Sequence, residues 1–272
     1  SSIPDEELLT AAETGLLYEE EQYRQQIRRM LADPRARALG ENFGLQWLGL
    51  RNFQGVTPDA QVYPEYTADL AQDLTDEAVN FVTLVFRENR PLTDLISANY
   101  VVVNGRLARY YGLNLSEDAT WQSVPITDGR RGGVPTMASV LTSSSYPRRT
   151  SPVLRGRWIL DELLGTPVPP PPPNVPALEE ASVAADAQTL RQRLEVHRQK
   201  PECASCHNRM DPLGLALENF NALGRWRDKE AGQAVDASGQ LITGESFKNV
   251  RELKQVLVKD RRQDFYRCLT EK

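Results

Sequence analysis

The sequence predicts a mainly α-helical protein with long irregular loops and a small β-hairpin near its C-terminus. Three observations carry that expectation. Apolar residues recur at three- and four-residue intervals through most of the first hundred positions and again at the end of the chain. The run Val101, Val102, Val103 is the one brief strand signal in the first half. Between Thr120 and Ser151, Gly, Pro, Ser and Thr replace the helical rhythm, so that stretch reads as a long ordered loop or a set of turns. With 272 residues the chain is long enough for two domains of ordinary size. We divide it into a helical module over 1–125, a middle module over 126–228 and a small terminal module over 229–272.

Ser1 to Leu9 reads as a capped helix start with Pro4 in its first turn, followed by stripes at Leu8, Leu9, Ala12, Leu16 and at Ile27, Met30, Leu31. Ala36 to Leu50 places Leu39, Phe43, Trp47 and Leu50 on one helical stripe, and Asn52 to Pro64 reads as a connecting loop. A long helix is predicted over 66–87, with shorter ones over 93–96 and 105–111. Arg155 to Leu164 is helical and stops at Gly165, a residue suited to the position just past a helix end. Five consecutive prolines, Pro169 to Pro173, form the centre of a strap over 167–176. They cannot join a helix or a central strand, so this stretch reads as an extended spacer. A helix over 186–199 follows, broken by Pro201. In the tail, an Asp-Ala-Ser-Gly turn at 236–239 suggests a hairpin, and two helices, over 250–259 and from Asp264 onward, close the chain.

Composition limits the function classes. Forty per cent hydrophobic and 25% charged residues place the chain among soluble globular proteins rather than disordered ones. A net charge of −5 argues against a nucleic-acid partner, because phosphate binding needs a basic face. No stretch of about 18 apolar residues suggests a membrane span. No basic-then-apolar targeting segment opens the sequence, and both ends read as those of a fragment.

The strongest chemical signal is Cys203, Ala204, Ser205, Cys206, His207. This spacing attaches c-type haem: two thiols add to the porphyrin vinyl groups, and the adjacent imidazole is carried under the iron. Two alternatives use the same residues. One is a zinc site that recruits a histidine and the distant Cys268, although zinc sites favour a second close pair. The other is a redox thiol pair, which should follow a strand in a βαβ unit. Cys268, on an apolar helical face with Phe265 and Leu269, reads as a buried thiol.

The run from Arg131, Gly132, Gly133 through Thr150, Ser151, Pro152, Val153, Leu154, Arg155, Gly156 and the proline strap to His197, Cys203–His207, Met210, Asp211, Pro212, Leu213, Gly214, Glu218, Asn219, Phe220 and Gly224 resembles the planctomycete-type cytochrome c domain. Residues 33–111 are similar to the helical domain that precedes it in that family, and 235–272 to the one that follows. In that family the last domain continues past the point where this chain stops. Asn221 departs from the pattern, which carries aspartate there. The resemblance implies a large secreted bacterial polypeptide and electron transfer as its business.

His207 is then the proximal ligand. For the sixth position His197 stands ahead of Met137: a break at Pro201 lets His197 fold back, and Met137 lies in an irregular stretch of the sort that delivers a distal thioether in small cytochromes; an open iron is the third option. Met210, three residues after His207, reads as a packing residue. Propionates need donors, and Arg148, Arg149, Arg155, Arg225 and Trp226 are the nearest candidates by motif. Asp211 and Pro212 read as the end of the haem helix, with Leu217 and Phe220 over the ring edge. The expected function is that of an extracytoplasmic module with one covalent haem c, periplasmic or extracellular, passing electrons to other redox proteins or subunits of a larger assembly. A haem enzyme with an open iron and a docking subunit with a haem-stabilised fold are the alternatives. No Ser-His-Asp set, phosphate loop or carboxylate cluster offers chemistry away from the iron.

Overall fold

A computed structural model describes residues 3–169, 189–199 and 201–272 of the chain, the side chains of residues 201 and 202 excepted. The protein is mainly helical, with three small two-stranded antiparallel sheets among the described residues. None of the described helices is long and apolar enough to cross a membrane.

Helices α1 (Glu6–Glu13) and α2 (Glu20–Ala32) form an N-terminal pair. Asp5, rather than the region of Pro4, caps α1 by accepting from the Leu8 amide, and Arg29 of α2 reaches back to Asp5 at 2.6 Å. The helix expected over 36–50 is broken into a 3-10 turn at Pro34–Arg37, wide turns at Leu39–Gly44 and the short α3 (Leu45–Trp47). Packing accounts for the break. A Cβ at Gly40 would lie 2.3 Å from the Val79 carbonyl oxygen, and one at Gly44 would press on Val82 at 3.3 Å. This segment therefore fits itself to the following helix at the expense of regular hydrogen bonding.

That following helix, α4 (Ala68–Arg87), is the long one expected, and Thr67 caps it. The short α5 (Asp94–Ser97), β1 (Tyr100–Val103) and α6 (Gly105–Tyr111) come next. The irregular stretch contains two elements that its composition concealed. Strand β2 (Gln122–Pro125) pairs with β1, Tyr100 opposite Pro125 and Val103 opposite Gln122, and α7 spans Ala138–Ser143. β2 is an edge strand with mostly exposed residues, so it carries no apolar alternation to betray it. Helix α8 (Pro152–Trp158) has Ser151 as cap and Pro152 at its first position, continues in wide turns over Ile159–Leu163, and ends at Gly165 with φ +60°. Of the proline strap, 167–169 are irregular with Val168 buried; 170–176 fall outside the described residues, as do 186–188 of the helix expected there.

α9 (Leu190–His197) opens on a capping box made by Thr189 and Gln192, and α10 spans Pro201–Leu215. Two small hairpins follow: β3 (Lys229–Glu230) with β4 (Gln233–Ala234), and β5 (Gly239–Gln240) with β6 (Ser246–Phe247). The residues expected to turn at 236–239 instead lead into β5, and the second hairpin reverses over 241–245. α11 (Val250–Lys259) and α12 (Arg262–Glu271) complete the chain as expected.

One buried apolar cluster runs through all three modules, from Trp47, Phe81 and Leu107 through Met137, Leu141 and Leu160 to Phe220, Leu253 and Phe265. Indole hydrogen bonds cross it: Trp47 donates to the Glu162 carbonyl at 2.8 Å and Trp158 to the Leu48 carbonyl at 3.1 Å. α8 and α10 meet almost backbone to backbone. A Cβ at Gly156 would come within 1.9 Å of the Met210 carbonyl oxygen, and one at Gly214 within 1.8 Å of that of Pro152.

A polar link also lies inside this core. The Tyr111 hydroxyl donates to Glu77 Oε2 at 2.6 Å and accepts from the Ala138 amide at 3.1 Å, tying α4, α6 and α7 together. Burial pushes the Glu77 carboxyl up to about 7, against the opposing pull of the Tyr111 hydrogen bond and the Arg131 guanidinium. Because the folded value exceeds the usual 4.5, the native state holds a proton that the unfolded chain releases, and stability is lost as pH rises from about 4.5 to 7. The loss amounts to about 3 kcal/mol. Urea denaturation of Glu77→Gln should therefore show a gain of that order over the parent at pH 8 and little gain at pH 4.5. An equal difference at both pH values would refute the assignment.

Candidate functional site

α9 ends at His197, a short turn follows, and Pro201 opens α10, where its missing N–H is no loss. Cys203 and Cys206 are three residues apart on α10, so one helical turn, a rise of about 4.5 Å, separates them, and His207 follows directly. All three are half-buried, both thiols are free, and Cys206 packs against the core. His207 Nδ1 lies 2.9 Å from Asp211 Oδ1, and the Asp211 side chain is fully buried. A carboxylate only accepts, so Nδ1 donates and the lone pair of the neutral ring sits on Nε2. That is the chemistry required of an axial imidazole, and the two thiols and the histidine therefore fit a haem.

Sequence reasoning brought His197 to this place, and the structure brings its ring centre within 4.8 Å of that of His207, at 67° between planes. Two imidazoles bound to one ion from opposite sides through bonds of about 2 Å would have ring centres roughly 6 Å apart, so here the two rings pack edge to face without room for a metal directly between them. Met137 is buried at the start of α7. Met210 is buried as expected, its backbone against Gly156. Cys268 is a buried thiol with its sulfur 3.3 Å from the Glu162 carbonyl oxygen, and burial pushes its pKa up. Among the described residues no three His, Cys, Asp or Glu side chains converge as a metal-binding set, so the zinc alternative has no assembled site there.

The comparisons with known proteins bear on the same region. Residues 1–113 match the family model PSD4, a protein of unknown function (DUF1592), and residues 131–230 match PSCyt3, a protein of unknown function (DUF1588). The chain is thus similar to the first model over its N-terminal part and to the second over its middle part. Both are planctomycete cytochrome c-associated domains of unknown function. No curated protein and no solved structure matches the chain.

Within residues 131–230 the structure corrects two expectations. Asp211 and Pro212 do not end the helix that carries Cys203, Cys206 and His207, since α10 runs on to Leu215. The seat against α8 at Met210 and Gly214 holds the chain helical through Pro212, whose interior position would otherwise cost about 3 kcal/mol. Arg155, expected to face a propionate, is internal. Its Nη1 donates to Glu218 Oε1 at 2.9 Å and to the carbonyls of Leu217 and Phe220, and its Nη2 donates to that of Asn221 at 2.8 Å. Burial pulls it down to about 10, against the opposing charge of Glu218, so it stays protonated at neutral pH. Glu218 also accepts from Thr150 at 2.6 Å and Arg227 at 2.7 Å.

The other expected donors lie beyond the C-terminal end of α10, and His207 to Leu215 alone is about 12 Å of helix. Arg225 faces Glu65 at 3.7 Å, and Trp226 donates to Asp228 and packs edge-on against Phe220. Arg148 faces Asp59 at 3.5 Å, and Arg149 lies over Tyr146. Leu217 and Phe220 are fully buried in the core. The residue that sequence reasoning missed is Asp211 as the partner of His207. Its i,i+4 spacing marks it once the helix is carried through Pro212.

Removing one partner of a buried ion pair strands the other charge. Glu218→Gln should lower unfolding stability by about 3–5 kcal/mol, read from urea midpoints with an unchanged denaturant slope. A loss under about 1 kcal/mol would show that Arg155 is held by the backbone carbonyls alone.

Proposed function

We propose that the DUF1588 domain carries one covalent haem c, bound through Cys203 and Cys206 with His207 as axial ligand, and that the chain passes single electrons among redox proteins or subunits of a larger assembly outside the bacterial cytoplasm. The observation that carries this reading is the His207 ring: Nδ1 is taken by buried Asp211, Nε2 is left as the coordinating nitrogen, and both thiols stand within the preceding turn of the same helix. When bound, the haem supplies a reversible one-electron change at its iron. The protein's own contribution is to hold the imidazole, to bury one flank of the site against the core through Cys206, and to keep His197 alongside. Extracytoplasmic placement follows from the proposed attachment, because thioether bonds to haem are made outside the bacterial cytoplasm.

The protein expressed with a c-type haem maturation system should keep its haem after denaturation, show an alkaline pyridine spectrum of haem c, and exceed the polypeptide mass by one haem. Metal analysis returning zinc without iron would end the proposal.

His197 is the proposed sixth ligand, ahead of Met137, because α9 ends on it a few residues before α10 opens, whereas Met137 is sealed in the core. The 4.8 Å ring spacing also favours a second reading, a haem enzyme with an open sixth position. His197→Ala should turn a low-spin ferric spectrum high-spin and admit carbon monoxide to the ferrous protein, with Met137→Ala leaving both unchanged. The reverse pattern assigns Met137, and a parent protein that is already high-spin and binds carbon monoxide quickly favours the enzyme.

A further inference from the structure

We propose that Asp211 is a positioning residue that fixes the orientation of His207 and, through the hydrogen bond to Nδ1, raises the ring's basicity and so lowers the reduction potential of the iron it would ligate. The inference rests on the haem reading above and names the residue that tunes that site. Geometry carries it. Asp211 is fully buried, and a buried carboxylate is costly unless it is paired. Its Oδ1 accepts from His207 at 2.9 Å, whereas its Oδ2 has no hydrogen-bond partner among the described residues; the Arg198 Nε lies 3.6 Å away. This burial is thus compensated by the hydrogen bond to the imidazole at Oδ1 and by the longer ion pair with Arg198 at Oδ2.

The carboxylate is also placed independently of the histidine. Met210, the residue before it, lies with its backbone against Gly156 of α8, and Gly214 lies with its own against Pro152, so α10 is clamped on either side of Asp211. A carboxylate held by its backbone and aimed at Nδ1 fixes the ring before any ligand arrives, as supporting residues do at pre-organised metal sites. Against a fully buried carboxylate, drawing the Nδ1 proton toward Asp211 gives the ring partial imidazolate character. A more electron-rich axial ligand favours the ferric over the ferrous state, which is why the potential falls. Arg198, by facing Oδ2, tempers this effect.

The test compares the haem-loaded full chain with Asp211→Asn, which keeps the shape and removes the charge. Both proteins should retain covalent haem after denaturation. The variant's midpoint potential should lie higher by at least a tenfold shift in the one-electron equilibrium, about 59 mV. In the reduced parent protein, proton NMR should find the His207 Nδ1–H shifted downfield and slow to exchange with water. Equal potentials in two equally loaded proteins overturn the role of Asp211 while leaving the haem reading intact. A fast-exchanging Nδ1–H in the parent overturns it as well, and needs no variant to fold. A parent that retains no haem on denaturation defeats the haem reading itself, an outcome the denatured spectrum separates from the other two.

Discussion

Gly156 and Gly214 let α8 and α10 meet with no side chains between their backbones, and the position of every chemical group on α10 follows from that seat. A methyl group at either glycine would overlap a carbonyl oxygen, so the approach is set by main-chain atoms, which cannot swing aside as a side chain can. The Arg155–Glu218 pair lies just past the C-terminal end of α10. Its guanidinium collects carbonyls from the turn that follows α10 and therefore locks the register in which the two helices meet. Such pairs are poor sources of stability, because desolvation offsets most of the attraction. Their contribution here is specificity: a slip of one residue between α8 and α10 would strand a charge in the core.

The two matched segments share their interior. Trp47 in the segment similar to DUF1592 donates to Glu162 in the segment similar to DUF1588, and Arg131 of the latter lies 3.7 Å over the Tyr111 ring of the former. From the terminal module, Lys254 of α11 reaches in to donate to the carbonyls of Arg131 and Gly132 at 3.0 and 3.1 Å, and burial pulls its pKa down to about 8. These hydrogen bonds span more than a hundred residues of sequence, and one apolar cluster surrounds them. The sequence boundaries near 113–131 and 230 therefore separate family segments without separating cores, and cutting the chain at either would expose a buried cation or an indole together with its acceptor.

Local signals made most helices legible. Thr67, Asn104, Ser151 and Asn249 are side-chain caps followed by apolar periodicity, and the helices they open lie within a few residues of expectation. The misses share a physical cause. Residues 36–50 carry a helical stripe, but Gly40 and Gly44 are dictated by the surface of α4, which is distant in sequence. α7 hides in a Ser/Thr-rich segment because Ser139 and Thr142 are buried by tertiary contacts that composition does not report. Likewise the Cys-Ala-Ser-Cys-His motif is plain in the sequence, whereas the motif alone makes Arg155 a candidate donor to a propionate. Only the fold reveals that its anion is Glu218, 63 residues away.

The run Met210, Asp211, Pro212, Leu213, Gly214 joins two demands within one helical turn. Gly214 and the Met210 backbone serve the seat against α8, while Asp211, between them, serves His207. Proline inside a helix is unfavourable in isolation, yet here it removes an amide next to a backbone contact too close for a side chain, and the helix survives because α8 holds it. Because the clamp and the carboxylate share this turn, any shift of α8 would reach the imidazole through Asp211. Packing between two helices is in this way coupled to the electronic state of the His207 ring, which the proposed cofactor would bind.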